Sequence, residues 1–389
     1  MNSPNKYNCS GCMACMEICP QKAIIMEPDA FGFLYPTILQ KKCINCNLCL
    51  KVCPFNTEYD KSQNLNKPIC YGARNKVLDE IKTSRSGGVF VSISKWALEK
   101  KGIVYGAGYD NRFNVKHIRV DNIKDLSLLK GSKYVQSNLQ YIYPLVETDL
   151  KKNLIVVFSG TPCQTAALHS YLSFKHIPQD NLYLIDVVCH GVPSTYIWRD
   201  YFHYIESKYK NKIVGVNFRD KSIFGWAWHE ESFMFANKPK IYRNSYTSLF
   251  YTHLSIRYSC FNCKFANIQR PSDISLADFW EWKKCLPEAF HTDNLGISQI
   301  LLNTNKGVFL FNEIKKDIDY IKADLDTSLQ YAMKKATPEP KGRLDAEIYY
   351  KENGFIPFMI KYSNFSFYEK LKSKYRRLRS LIKLKLNKL

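Results

Sequence analysis

The chain sets its apolar residues in three rhythms. Two short unbroken runs, Leu154-Ile155-Val156-Val157-Phe158 and Leu182-Tyr183-Leu184-Ile185-Asp186-Val187-Val188, have the length and composition of strands buried on both faces. Gln164 to Leu172 lies between them with helical spacing, so a strand, helix, strand order with parallel neighbours is predicted. Earlier, Val89 to Leu98 has apolar positions suited to a helix, and Gly102-Ile103-Val104-Tyr105-Gly106-Ala107 reads as a strand. The polar stretch from Asn56 to Lys67 offers few core candidates and reads as a linker, which places the start of a new domain near Pro68. At the far end, Leu371, Tyr375, Leu378, Ile382, Leu386 and Leu389 recur in steps of three and four, the stripe of an amphipathic helix.

A length of 389 residues adds the expectation of two or three units, at roughly 100–200 residues each. With 46% hydrophobic and 23% charged residues the chain falls in the globular range, which excludes wholesale disorder. Its apolar runs are strand-length, far short of the roughly 20 residues a spanning helix needs. Met1-Asn2-Ser3-Pro4-Asn5-Lys6 lacks the apolar stretch of a secretory signal, so a cytoplasmic location is expected. The net charge of +21 is unevenly spread: nine basic residues and no acidic one lie between Lys370 and Lys388. The body keeps a diffuse excess, which points to solubility or acidic partners, and no nucleic acid is expected. The cationic face beside the C-terminal stripe suits an anionic membrane surface, a peripheral location at the inner face. Docking of the stripe on the protein's own body or on a partner is the alternative.

Cysteine spacing changes the picture most. Fourteen cysteines in a chain without an export signal speak for metal ligation or redox work rather than a disulfide framework. Cys9, Cys12, Cys15 and Cys19, followed by Pro20, repeat as Cys43, Cys46, Cys49 and Cys53, followed by Pro54, each displaced by 34 residues. This duplicated C-x2-C-x2-C-x3-C-P run resembles that of bacterial-type ferredoxins. The resemblance implies two 4Fe-4S clusters with interleaved ligands, Cys9, Cys12, Cys15 and Cys53 on one, Cys43, Cys46, Cys49 and Cys19 on the other. Ser10, Gly11, Asn45 and Asn47 leave backbone amides free to approach the sulfides; a structural zinc module is the competing reading. Farther on, Cys163 stands at a helix start after one predicted strand and Cys189 at the end of the next. Both are therefore expected at the carboxyl end of one sheet, where α/β proteins place ligands. With the pair Cys260 and Cys263 they make four thiols, enough for a third 4Fe-4S cluster. Zinc, a redox dithiol at Cys260 and Cys263, or a thiolate nucleophile at Cys163 remain open as alternatives. Cys70 and Cys285 have no partner in spacing and read as structural. Ser86-Gly87-Gly88 precedes a predicted helix, whose free N–H groups suit a phosphate.

Ser84-Arg85-Ser86-Gly87-Gly88, Gly131-Ser132-Lys133-Tyr134-Val135-Gln136-Ser137, Phe158 to Gln164, Asp186 to Ser194 and Ser259 to Lys264 together resemble the family of the beta subunit of coenzyme F420-reducing hydrogenase and dehydrogenase. The resemblance implies FAD and a further 4Fe-4S cluster behind a fused two-cluster ferredoxin module. It assigns Ser86, Gly87, Gly88, Gly131, Ser132, Lys133 and Tyr134 as flavin-binding candidates, and Cys163, Cys189, Cys260 and Cys263 as the extra cluster's ligands. Arg270 to Trp280 also resembles a family segment, but Ala277 and Glu281 stand where glycines are usual, which points to a changed substrate pocket. Asp273 and Asp278 in that segment read as capping or loop residues, with a place facing the site as the alternative. Relatives of this size look like those encoded among surface-polysaccharide genes.

The expected organisation is an α+β ferredoxin-like dicluster domain (1–58), a linker (59–67), an α/β flavin- and cluster-binding domain (68–150 and 151–345) and a basic C-terminal helix (346–389). The expected activity is that of an iron-sulfur flavoprotein oxidoreductase working on a small-molecule redox substrate with an electron-donor or acceptor protein. A non-catalytic electron-transfer subunit serving a partner enzyme is the alternative.

Overall fold

The computed structural model describes residues 5–386; residues 1–4 and 387–389, and with them Leu389 of the C-terminal stripe, lie outside what is described, as does the side chain of Leu386. The N-terminal duplication is visible in the backbone. Gly11 and Met13 adopt left-handed conformations (φ 66° and 67°), and so do Asn45 and Asn47 (φ 53° and 60°), each 34 residues on. The second left-handed residue of each pair starts a one-turn helix, Ala14–Glu17 or Leu48–Lys51. Between the repeats, β1 (Ile24–Pro28) and β2 (Leu34–Ile38) form an antiparallel hairpin with Ile24 opposite Ile38.

The linker is shorter than expected. β3 (Asn64–Asn75) begins inside the polar stretch, because Thr304 of β12 (Ser298–Thr304) pairs with Asn64 and ladder hydrogen bonds do not require apolar side chains; its later residues, Tyr71 to Asn75, also pair with β13 (Ile318–Lys322). The strands between are β4 (Ile103–Tyr109), β5 (Val115–Val120), β6 (Val156–Gly160), β7 (Leu182–Val187), β8 (Ile213–Asn217), β9 (Glu231–Phe235), β10 (Ile241–Arg243) and β11 (Ile274–Asp278). One mixed sheet of eight strands runs in the order β13-β3-β12-β11-β7-β6-β4-β5, and β8, β9 and β10 form a small antiparallel sheet. Within the large sheet β4, β6, β7 and β11 are parallel, as the apolar runs of β6 and β7 predict.

Helices cover both faces. On one, Val89–Glu99 and Asn305–Ile314 pack over Val104, Val157, Ile185 and Ile300. On the other, Ile142–Lys151 and Pro162–Phe174 bury Tyr143, Leu168 and Leu172, and the ferredoxin-like module joins the same core through Met13, Ala14, Ile18 and Val52. Phe31 and Phe33 of the hairpin are fully buried in a third cluster around Trp198, Tyr201 and Phe358. At about 1.5–3 kcal/mol per buried large apolar side chain, these contacts hold the module firmly against the body. The segment expected to open the tail is also in the body: Ala346, Tyr350, Phe358 and Met359 of helices Arg343–Asn353 and Phe355–Tyr362 are buried. Phe367–Leu386 then projects as a basic helix, and no helix of the described residues is long and apolar enough to cross a membrane.

Candidate functional site

The eight N-terminal cysteines gather in the interleaved pattern. Cys19 of the first repeat lines one cavity together with Cys43, Cys46 and Cys49 of the second. The thiols of Cys12 and Cys15, in turn, feel Cys9 and Cys53 as their near neighbours. The fold produces this crossing because Cys19 and Cys53 each follow a one-turn helix that carries the chain toward the other repeat. Burial, then crowding by the other sulfurs, raises the pKa of Cys12 and Cys15. Iron bound here would take the sulfurs as thiolates, its positive charge offsetting theirs and their protons being released. Gly11 is required here: a Cβ at this left-handed position meets Arg257 Nη1 at 2.7 Å and Gln136 Nε2 at 2.9 Å.

The later four cysteines come together at the carboxyl end of the large sheet. Gly160 of β6 pairs with Asp186 of β7, and Cys163 and Cys189 each follow three residues later. Cys260 ends the turn Tyr258–Cys260 that lies over this edge, and its thiol feels Cys189, Cys263 and Cys163. Burial pushes Cys189 up to about 12 and Cys263 up to about 11, with Cys163 adding to both. Cys163 sits in the first turn of Pro162–Phe174, with Thr161 Oγ1 3.1 Å from its sulfur. Among the described residues no group of three His, Cys, Asp or Glu side chains is placed to hold a single metal ion. Cys70 and Cys285 stand apart, beside Ser328 at 3.3 Å and Thr327 at 3.4 Å, in keeping with structural roles.

Two arginines join these groups, Arg270 from the family-like segment and Arg257 from outside any motif. Arg257, fully buried, donates Nε to Cys9 O at 2.6 Å, Nη2 to Leu34 O at 2.9 Å and Nη1 to Gln136 Oε1 at 3.1 Å, and its charge acts on Cys163. Cys12 in turn feels Cys163, so the first and third cysteine sets are neighbours. Arg270 pairs with Asp186 at 2.9 Å in full burial and donates to Phe265 O and Val187 O, beneath Cys189 and Cys263. The only signal for Arg257 is its place three residues before Cys260 in a basic, aromatic loop.

The flavin candidates form two segments that meet through a third. Arg219 Nη1 donates to the Tyr134 hydroxyl at 3.0 Å, and Lys221 Nζ reaches Ser86 O at 3.4 Å, so residues 217–222, which carry no motif, connect both segments. Gly87 has a packing reason of its own, since a Cβ there meets Ala73 O at 2.3 Å and Ser298 N at 2.7 Å. Gly88 (φ 81°) precedes the helix Val89–Glu99. Gly131 and Ser132 lie in an exposed turn. Lys133 turns inward instead: its amine donates to Leu128 O at 3.1 Å and Lys130 O at 2.9 Å, and burial pushes its pKa down to about 7. Asp273 is structural, accepting from Leu184 N at 2.8 Å. Asp278 faces the site, with Arg85 Nη2 at 2.8 Å and Trp226 Nε1 at 2.9 Å. Val135, Gln136 and Ser137 line a separate cavity of about 410 Å³ whose far wall includes Gly11 and Met13 of the cysteine module.

Residues 154–327 match the family described as the C terminus of the coenzyme F420 hydrogenase/dehydrogenase beta subunit, and residues 8–57 match the 4Fe-4S dicluster domain. Among solved structures, a chain of the xenon-derivatised F420-reducing NiFe hydrogenase complex from Methanosarcina barkeri is similar at 15% identity and a TM-score of 0.46, over 76% of this chain and 92% of that one. No curated protein matches.

Proposed function

We propose, from the premise that residues 8–57 are a 4Fe-4S dicluster domain and residues 154–327 the C-terminal domain of the coenzyme F420 hydrogenase/dehydrogenase beta-subunit family, that this chain is an iron-sulfur flavoprotein oxidoreductase. In this reading Cys163, Cys189, Cys260 and Cys263 hold a third 4Fe-4S cluster, and FAD lies where Ser86 to Gly88 and Tyr134 converge. The substrate is a small molecule, and a place in surface-polysaccharide biosynthesis follows only from the resemblance of relatives. When bound, the clusters supply one-electron steps and the flavin joins them to two-electron chemistry. The observation that carries the reading is the adjacency of Cys12 and Cys163, which puts the N-terminal module in series with the sheet's carboxyl end.

The protein's own residues do the holding. Arg257 ties the Cys9 loop to the hairpin strand β2, and Arg270 with Asp186 braces the end of β7 below Cys189. Tyr134 and Ser86 are drawn to one place by Arg219 and Lys221. At the opposite end Cys46 is exposed and Ile44 beside it is 61% exposed, so an electron-donor or acceptor protein has access to the second set. That access also serves the alternative, a non-catalytic electron-transfer subunit for a partner enzyme.

Anaerobic purification tests both. About twelve irons and one FAD per chain are expected, at four irons per cubane. Cys163→Ser is expected to remove about four irons while the ferredoxin-type signals persist. Unchanged iron in that variant rejects the third cluster, and a flavin-free, eight-iron protein favours the carrier.

A further inference from the structure

Four basic side chains gather near the carboxyl end of β11, with two carboxylates among them. Arg85 Nη2 lies 2.8 Å from Asp278 Oδ2, Lys221 gives its amine to the carbonyls of Ser86 and Leu295, and the nearby Arg74 is already paired with Asp293. Arg219 is 5% exposed and donates Nη1 to the hydroxyls of Tyr134 at 3.0 Å and Tyr251 at 3.4 Å, yet its Nε and Nη2 are buried without an acceptor. Nε of Arg85 is likewise buried without an acceptor, and Nη2 has only the carboxylate of Asp278, at 2.8 Å, beside it.

Buried guanidinium groups with unmet N–H donors are uncommon in folded proteins, and each calls for an acceptor. Here the two groups border a single ring. The guanidinium carbons of Arg85 and Arg219 lie 5.6 Å and 5.9 Å from the centroid of Trp280, which stacks on Trp226 at 4.5 Å. Trp280 is 37% exposed and Tyr251 48% exposed, so the place opens to solvent across their rings. It also adjoins the third cysteine set: His190, next to Cys189, is within electrostatic reach of both Arg219 and Asp278.

We propose that Arg85 and Arg219 form an oxyanion-binding site that anchors the phosphate or carboxylate of a molecule exchanging electrons with this protein. The planar guanidinium fork matches either group in two-point geometry, and an anion between the pair neutralises their mutual repulsion. The inference rests on the reading of the chain as an oxidoreductase and narrows its ligand to an anionic class. Two sources share this chemistry, the phosphates of the flavin and an anionic substrate.

The anaerobically purified full chain is titrated with inorganic pyrophosphate by calorimetry, as wild type, Arg85→Gln and Arg219→Gln, and the FAD and iron of each preparation are measured. Retained FAD with pyrophosphate affinity reduced at least tenfold in both variants supports the site and assigns it to substrate. Loss of FAD from both variants, with iron retained, supports it and assigns it to the flavin. Variants that keep the wild type's flavin content and its pyrophosphate behaviour, binding or not, overturn the proposal. Arginine-dependent pyrophosphate binding by a protein that never carries flavin leaves the anion site standing and sinks the flavoprotein reading instead. Where a glutamine variant loses iron, Arg219→Lys keeps the charge but not the fork, and the same loss of pyrophosphate affinity or flavin is expected.

Discussion

Arg257 is the side chain that lies between the first and third cysteine sets, bonded to Cys9 and with its charge acting on Cys163. Its three nitrogens reach carbonyl and amide oxygens at Cys9, Leu34 and Gln136, and Nη2 also lies 3.5 Å from the Cys9 sulfur. A cation so placed favours the more negative, reduced state of a cluster bound by Cys9. Arg257→Met is therefore expected to lower the midpoint potential of that cluster by an amount on the order of tens of millivolts, read by an EPR-monitored redox titration at unchanged iron content. An unshifted potential rejects the tuning role. Arg270→Met acts differently, because it leaves the fully buried Asp186 carboxyl without its partner. About 3–5 kcal/mol is expected to be lost, seen as a fall in the urea midpoint that Asp186→Leu in the same chain partly reverses. Lys133 and Lys221 set a pH dependence. Burial pushes both down to about 7, so between about pH 7 and the ordinary lysine value the unfolded chain binds more protons than the folded one. Stability is therefore expected to rise with pH across that window, and Lys133→Met to flatten part of the rise in pH-resolved thermal melts.

Among the elements, the C-terminal helix has the least explained surface. Leu371, Tyr375, Leu378 and Ile382 are each at least half exposed, so these positions of the stripe do not fold back on the body. Arg377 ties the helix down by an ion pair, 3.5 Å from Glu230, beside the rings of Phe224 and Tyr242. Near an anionic surface each basic residue contributes roughly 1 kcal/mol, and the apolar stripe adds burial. The full chain is expected to pellet with phosphatidylserine-containing vesicles and to be released by salt, whereas a chain ending at Ser366 stays in the supernatant. Equal pelleting of the two rejects membrane attachment through this helix.

On the scale of the whole molecule, the N-terminal module is a built-in part rather than a tethered one. Met13, Ala14, Ile18 and Val52 share a core with the sheet's helices, and Phe31 and Phe33 share another with Trp198 and Phe358. Cluster ligation and global stability are therefore coupled, because metal-bound thiolates hold the loops that present these side chains. Removal of iron by a chelator under mild oxidation is expected to lower the thermal midpoint of the entire chain and to raise binding of a hydrophobic dye. An unchanged main transition rejects that coupling.

The chain's local pattern was enough for much of this. The 34-residue repeat accounts for the paired left-handed turns, and the apolar runs dictated the parallel pairing of β6 and β7, since spacing and burial on two faces are local properties, whereas the crossed cysteine sets were what the ferredoxin resemblance implied. The same runs put Cys163 and Cys189 at the carboxyl end of one sheet. Other features depend on residues far apart in sequence. β3 begins in a polar stretch because Thr304 of β12 pairs with Asn64, and the first part of the expected tail from residue 346 is held in the body because Tyr350 and Phe358 find Phe31 across the molecule. Lys133 turned inward because two carbonyls lie within its reach. Arg219 carries no motif, and Arg85 only its place in the Ser84 to Gly88 segment; the fold alone brings both guanidinium groups, 134 positions apart, to the edge of one indole, with the Nε of each buried without an acceptor.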